Sequence, residues 1–231
     1  MNILKKLFDA FTNNKNENFD NDEETVPVDA VPSSPMPQYN LGIKAMVVAD
    51  SHGKLMYRDV DNVLDEYGIP DVVFLLGDNR AMDLEVLRDN GRLKNVQFYG
   101  IIGNHEAPNT LADYEVPNLH LNTVSVNGCI VGGFSGSLRY KEDSTHVLWT
   151  QEECSELLST MESCDILLTH TKPEFELPET ITSHTGFIGL GDYIKRCKPK
   201  YNLHGHLHDL YDTHYDGTII KCLYGVSMVN L

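Results

Sequence analysis

Basic residues are scarce in this chain. It holds 18 lysines and arginines against 34 aspartates and glutamates, a formal net charge of −16. A general binder of the nucleic-acid backbone carries a basic stripe, so this balance argues against broad nucleic-acid affinity. It leaves open a site whose positive charge comes from bound metal ions. Paired cysteines are missing too. Cys129, Cys154, Cys164, Cys197 and Cys222 are odd in number and contain no CxxC spacing. That pattern fits reduced thiols of a cytoplasmic protein. Long apolar runs are absent, since none approaches the roughly 20 residues that span a bilayer. The first residues, MNILKKLFDAF, carry two lysines, but Asp9 interrupts the apolar stretch. No small-residue cleavage site follows, so no secretory signal is expected.

What is present divides the chain in two. Residues 1–40 hold three lysines and seven acids, so −4 of the charge lies there, and four prolines fall between Pro27 and Pro37. Such a composition buries too little apolar surface to offset ordering, which predicts a disordered acidic, proline-containing linker. Its start differs: Ile3, Leu4, Leu7, Phe8 and Phe11 form an apolar stripe at helical spacing. A helix there would pack on its own domain or dock on a partner or membrane surface.

Residues 41–231 read as one α/β domain. The run IKAMVVA at 43–49 predicts a buried strand. Leu55, Met56, Val60, Val63 and Leu64 repeat at helical spacing until Gly68 and Pro70 stop them. Residues 72–76 predict a second strand, 83–88 a short helix and 96–102 a third strand. This βαβαβ order implies a parallel core. Residues 119–126 and 129–134 flank Asn127-Gly128 and predict a hairpin. Thr150 and Glu153 form a capping box ahead of Cys154, Leu157, Leu158 and Met161. Residues 166–168 predict another strand. Phe187, Leu190, Ile194 and Cys197 line a helix that ends near Pro199.

Each predicted buried strand runs into a small polar cluster. The first four are Asp50-Ser51-His52-Gly53, Gly77-Asp78-Asn79-Arg80, Gly103-Asn104-His105-Glu106 and Thr169-His170. The fifth is NLHGHLHDL at 202–210, where His204, His206 and His208 fall at alternate positions. Loops at the carboxyl ends of strands gather at one sheet edge in α/β folds, so these clusters should meet. Two aspartates, an asparagine and four or more histidines make a nitrogen and oxygen donor set suited to Mn, Fe, Zn, Co or Ni. There are donors enough for two ions.

The order DxH, GD, GNHE, H, GHxH resembles the calcineurin-like metallophosphoesterase superfamily, over roughly residues 43–231. The resemblance implies a four-layer α/β/β/α sandwich and a dinuclear centre of two divalent ions (Mn, Fe, Zn or Ni). By motif, Asp50, His52 and His208 would hold one ion and Asn104, His170 and His206 the other, with Asp78 between them. His204 has no place in that scheme and reads as a strand-end or supporting residue. A hydroxide bridging the ions would attack phosphorus, and His105 would stabilise charge or protonate the leaving oxygen. Glu106 reads either as a group orienting His105 or as an exposed loop carboxylate. Arg80, Arg139 with Tyr140, and His184 are candidate substrate contacts, each also readable as a surface residue. His120, His146 and His214 match no motif. The implied activity is hydrolysis of small phosphodiesters or phosphomonoesters. A non-catalytic scaffold of the same fold and a nuclease are the alternatives; the intact ligand set weighs against the first and the acidic charge against the second.

Overall fold

A computed structural model describes residues 35–140 and 146–231. The N-terminal apolar stripe and most of the acidic segment lie outside the described residues. Tyr39 is tied to the far end of the chain: its hydroxyl donates to Gly217 O at 2.7 Å and its carbonyl accepts from Tyr201 Oη at 2.9 Å. Among the described residues, no helix is long and apolar enough to cross a membrane.

The first half contains β1 (Lys44–Ala49), α1 (Tyr57–Tyr67), β2 (Val72–Leu75), α2 (Ala81–Asp89), β3 (Gln97–Gly100) and the single turn α3 (Thr110–Asp113). The second adds β4 (Thr123–Val126), β5 (Cys129–Phe134), β6 (Ser137–Leu138), β7 (Leu148–Trp149), α4 (Gln151–Thr160) and β8 (Ile166–Thr169). It ends with α5 (Ile188–Cys197), β9 (Tyr201–His204), β10 (Tyr211–Tyr215), β11 (Thr218–Cys222) and β12 (Gly225–Asn230).

Two sheets result. One has the order β12-β1-β2-β3, with β1, β2 and β3 parallel and β12 antiparallel at the edge. The other has the order β10-β11-β9-β8-β5-β4, with a parallel centre and antiparallel edges. Strand periodicity sorts their side chains into three cores. Ala45, Val47 and Phe74 face Val131, Ile166, Leu168 and Leu203 between the sheets. Met46, Val48, Val73 and Leu75 face outward under Val60 and Leu64 of α1 and Leu84 and Leu87 of α2. On the far side, Phe134 and Leu167 meet Cys154 and Leu158 of α4 and Leu190 and Tyr193 of α5. The order through the molecule is helices, sheet, sheet, helices. Both faces are covered at the centre of each sheet, so β2 is wholly apolar and β1 and β8 nearly so.

Local chemistry sets the boundaries. The α1 helix ends where Gly68, at φ +78°, donates its N–H to Leu64 O at 2.9 Å. Asn127 and Gly128 both have positive φ, as a two-residue hairpin turn requires. Thr150 Oγ1 accepts the Glu153 N–H at 3.1 Å, and Glu153 Oε2 accepts the Thr150 N–H at 2.8 Å. Two expectations shift. Residues 119–122 form a turn rather than the start of β4, because Leu121 takes φ +56° and the Asn122 amide bonds His120 O. The α2 helix starts at Ala81, because the Asp83 carboxylate receives the Arg80 N–H at 2.8 Å and fixes the first turn.

Candidate metal centre

The parallel strands of both sheets end at one rim. β1, β2 and β3 deliver Asp50, Asp78 and Asn104 from one sheet, and β8 and β9 deliver His170 and His206 from the other. The site thus straddles two sheets rather than lining one. Short backbone bonds lock the loops together. Asp50 N donates to Gly77 O at 3.0 Å, His52 N to Asp78 O at 3.0 Å, and His206 N to Asp50 Oδ2 at 2.8 Å.

Glycines make the approach possible. A Cβ on Gly103 would run into Asp78 Oδ1 and lie 2.5 Å from Asp78 N. A Cβ on Gly205 would run into the Asp50 carboxylate. The cost of convergence shows in the backbone: Asp50, His52, Asp78, His206 and His208 all take positive φ, between +48° and +70°. Non-glycine residues reach that region only when their surroundings over-determine it.

Among the described residues, His, Cys, Asp and Glu ligand atoms within 4.8 Å of one another form two groups, Asp50 with His52 and His208, and Asp50 with Asp78 and His170. Asp78 Oδ2 lies between the halves, 3.9 Å from His52 Nε2 and 3.5 Å from His170 Nε2. His170 donates Nδ1–H to Leu76 O at 2.8 Å, which turns Nε2 toward Asn104 Oδ1 at 2.9 Å. His206 donates Nε2–H to Ser183 O at 2.9 Å, which leaves Nδ1 as its lone-pair nitrogen. Carbonyl partners of this kind fix tautomer and ring orientation in metal-binding imidazoles. The Asn104 amide is steered the same way, its Nδ2 lying 3.5 Å from Tyr140 Oη.

The electrostatics suit a cation. Burial pulls His206 down to about 3 and also lowers His52 and His208, so these rings are neutral near pH 7 and present lone pairs. Burial pushes Asp50 up to about 6. For His170 burial also acts downward, but the Asp78 carboxylate carries it up to about 9, so near pH 7 its Nε2 holds a proton that a bound ion would have to displace. Burial opposes the charge on Asp78, yet His170 and the His105 N–H hold it well below the carboxylate range. Asp50 Oδ1 is buried without a hydrogen-bond partner among the described residues and lies 3.7 Å from His208 Nε2. His52 Nε2 and His208 Nε2 approach to 3.1 Å. Acceptors crowded around an orphaned carboxylate oxygen are a donor set that fits divalent ions.

The family model described as calcineurin-like phosphoesterase matches residues 43–210. The chain belongs to that family. Its structure is similar to that of TT1561 of Thermus thermophilus, with a TM-score of 0.61 and 13% identity over 81% of this chain and 98% of that one. It is also similar to the phosphopantetheinyl hydrolase PptH from Mycobacterium tuberculosis, with a TM-score of 0.52 and 14% identity over 79% of this chain and 89% of that one. At such identities the likeness is one of fold. No curated protein sequence matches the chain.

Around this donor cluster the other candidates sort by what they touch. The His105 ring lies 5.7 Å from the His52 ring, centroid to centroid. His184 is exposed, with its ring 5.2 Å from that of His206. Arg80 is exposed beside Gly53. Arg139 is engaged elsewhere, donating to Glu153 Oε2 at 2.8 Å and Leu148 O at 3.2 Å. His204 closes β9, fully buried, with Nδ1 donating to Gly205 O at 3.0 Å. His120 stacks on Trp149 with ring centroids 5.5 Å apart.

Three residues matter more than their sequence context suggests. Glu106 is 3% exposed rather than a surface loop carboxylate. Its Oε2 accepts the N–H groups of Asp78 at 2.7 Å and Gly103 at 2.6 Å. Asp83, fully buried, accepts from Gly53 N at 2.6 Å, Arg80 N at 2.8 Å and Leu55 N at 3.0 Å, tying the loop after β1 to the loop after β2. His146, which matches no motif, has its ring 6.4 Å from that of His105. A buried carboxylate that collects backbone N–H groups has no spacing signature; for Glu106, adjacency to GNH was the only available signal.

Proposed function

We propose that this chain hydrolyses small phosphodiesters or phosphomonoesters with two divalent ions, Mn, Fe, Zn or Ni, at the shared rim of its sheets. The observation that carries the proposal is the meeting of five separate strand-end clusters in one donor set, buried at Asp50, Asp78, Asn104, His170 and His206 and open at His208. Asp50, His52 and His208 would hold one ion, Asn104, His170 and His206 the other, and Asp78 would serve both. Bound there, the ions supply Lewis acidity toward phosphoryl oxygens and acidify water to a nucleophile near neutral pH.

The chain's own groups do the rest. Asn104, its amide orientation fixed by His170 and Tyr140, aims its oxygen inward. The His105 backbone N–H donates to Asp78 Oδ1 at 2.7 Å, and its exposed imidazole would serve as the donor to the leaving oxygen. Arg80 and His184 would contact substrate oxygens. Arg139 acts by bracing the β6–β7 segment that carries Tyr140. The five free thiols are consistent with a reducing, cytoplasmic setting.

The test is metal analysis of purified protein combined with turnover of bis-aryl and mono-aryl phosphates under Mn, Ni, Zn and Fe in turn. Close to two ions per chain with hydrolysis of either substrate supports the proposal. No bound metal and no turnover overturns it. Preference between the two substrates assigns the reaction as diester or monoester cleavage.

A further inference from the structure

The open side of the metal centre is bordered by a file of aromatic rings. In order of contact they are His146, His105, His52, His208 and Tyr224, with successive centroid separations of 6.4, 5.7, 5.1 and 5.1 Å. Tyr224 closes the file. Its ring lies over the His208 ring at an interplanar angle of 26°, a stacked arrangement, and the residue is 41% exposed.

Its position is set by the fold. Cys222 at the end of β11 pairs in register with His204 at the end of β9, the strand that leads into His206 and His208. Leu223 is buried and donates its N–H to His204 O at 2.8 Å. Tyr224 follows directly and Gly225, at φ +68°, turns the chain into β12. The phenol is thus pinned at its backbone, with one face against the exposed His208 ring and the rest partly open to solvent. A planar ring that is rigid, exposed and backed by a second ring is a stacking platform for another π-system.

Direction follows from the same file. His105, the group placed to serve the leaving oxygen, is separated from Tyr224 by His52 and His208. An ester substituent resting on Tyr224 is therefore the one kept on phosphorus. We propose that Tyr224 selects phosphodiesters whose retained ester group carries a planar aromatic ring, either a simple aryl ring or a nucleobase. This rests on the phosphoesterase reading above and sharpens its substrate class.

The test uses three diesters with one leaving group, 4-nitrophenolate. They are 4-nitrophenyl methyl phosphate, 4-nitrophenyl phenyl phosphate and the 4-nitrophenyl ester of thymidine 5′-phosphate, assayed with metal-loaded wild type, Tyr224→Ala and Tyr224→Phe. A stacking contact predicts that wild type favours a ring-bearing ester over the methyl ester by roughly tenfold in kcat/KM. The ratio should fall toward one in Tyr224→Ala and persist in Tyr224→Phe. Preference for the phenyl or the thymidine ester identifies the ring's source. Turnover of all three at equal kcat/KM, or a ratio that survives Tyr224→Ala, overturns the platform and leaves the phosphoesterase reading standing. No turnover of any ester by loaded wild type overturns both. Metal content of each variant separates lost stacking from a disturbed His208.

Discussion

Glu106 Oε2 accepts the backbone N–H of Asp78 at 2.7 Å and that of Gly103 at 2.6 Å. One carboxyl oxygen thus holds the start of two loops, one carrying Asp78 and the other Asn104. Burial pushes this carboxyl up to about 8, with the Gly103 N–H pulling the other way. Glu106→Ala strands two buried N–H donors and should lower stability by about 1–3 kcal/mol. It should also weaken metal binding by roughly 10–100-fold. Glu106→Gln keeps one carbonyl oxygen and should lose far less. Thermal melts and metal titrations of the two variants check the ordering; equal losses would mean that the acidic group itself is required.

Gly103→Ala tests the close approach. The new methyl group would overlap the Asp78 carboxylate and lie 2.5 Å from Asp78 N. Overpacking of this kind costs about 1–3 kcal/mol. Because the displaced group is Asp78, activity should fall by roughly a hundredfold or more while the fold survives. Circular dichroism and turnover measured together decide it.

His105→Ala should behave differently. The backbone bond to Asp78 Oδ1 does not depend on the side chain, so metal content should be kept. Hydrolysis should slow by about 10²–10⁴, the usual worth of a positioned proton donor. The slowing should be larger for esters with poor leaving groups. An unchanged rate with 4-nitrophenyl and alkyl leaving groups alike would remove His105 from the chemistry.

Acid stability has a local reporter. His120 stacks on Trp149, the single tryptophan of the chain, and its Nδ1 accepts the Ser135 N–H at 3.0 Å. Burial lowers His120 to about 4 from the usual 6.5. Between those values the unfolded chain takes up the proton more readily than the native one. Stability is therefore complete above pH 6.5 and declines as pH falls toward 4. The contribution is at most roughly 3 kcal/mol. His120→Asn keeps a short acceptor and loses the titration. Urea unfolding followed by Trp149 fluorescence should show a shallower loss between pH 6.5 and 4.5 in the variant than in wild type.

The strand ends were readable because each combined an apolar run with a small polar cluster, and the order Asp50, Asp78, Asn104, His170, His206 carried the rest. The capping box at Thr150 and the turn at Asn127-Gly128 were readable for the same reason: each is local. What escaped depends on residues distant in sequence. Asp83 read as a helical residue, yet it binds Gly53 and Leu55 across the loop after β1. His146 has His105 as a ring neighbour, a residue far from it in sequence. Met56 fell on the periodic stripe of α1 but is exposed just before the first turn, because periodicity does not mark where a helix begins.

The donor set draws Asp50, Asp78 and Asn104 from one leaf of the sandwich and His170 and His206 from the other. Ions seated among them would rivet the two leaves at their shared rim, beyond the reach of the apolar filling that joins them elsewhere. Sliding one leaf past the other would then require breaking the rivet first, so catalytic competence and mechanical integrity would be lost in the same event.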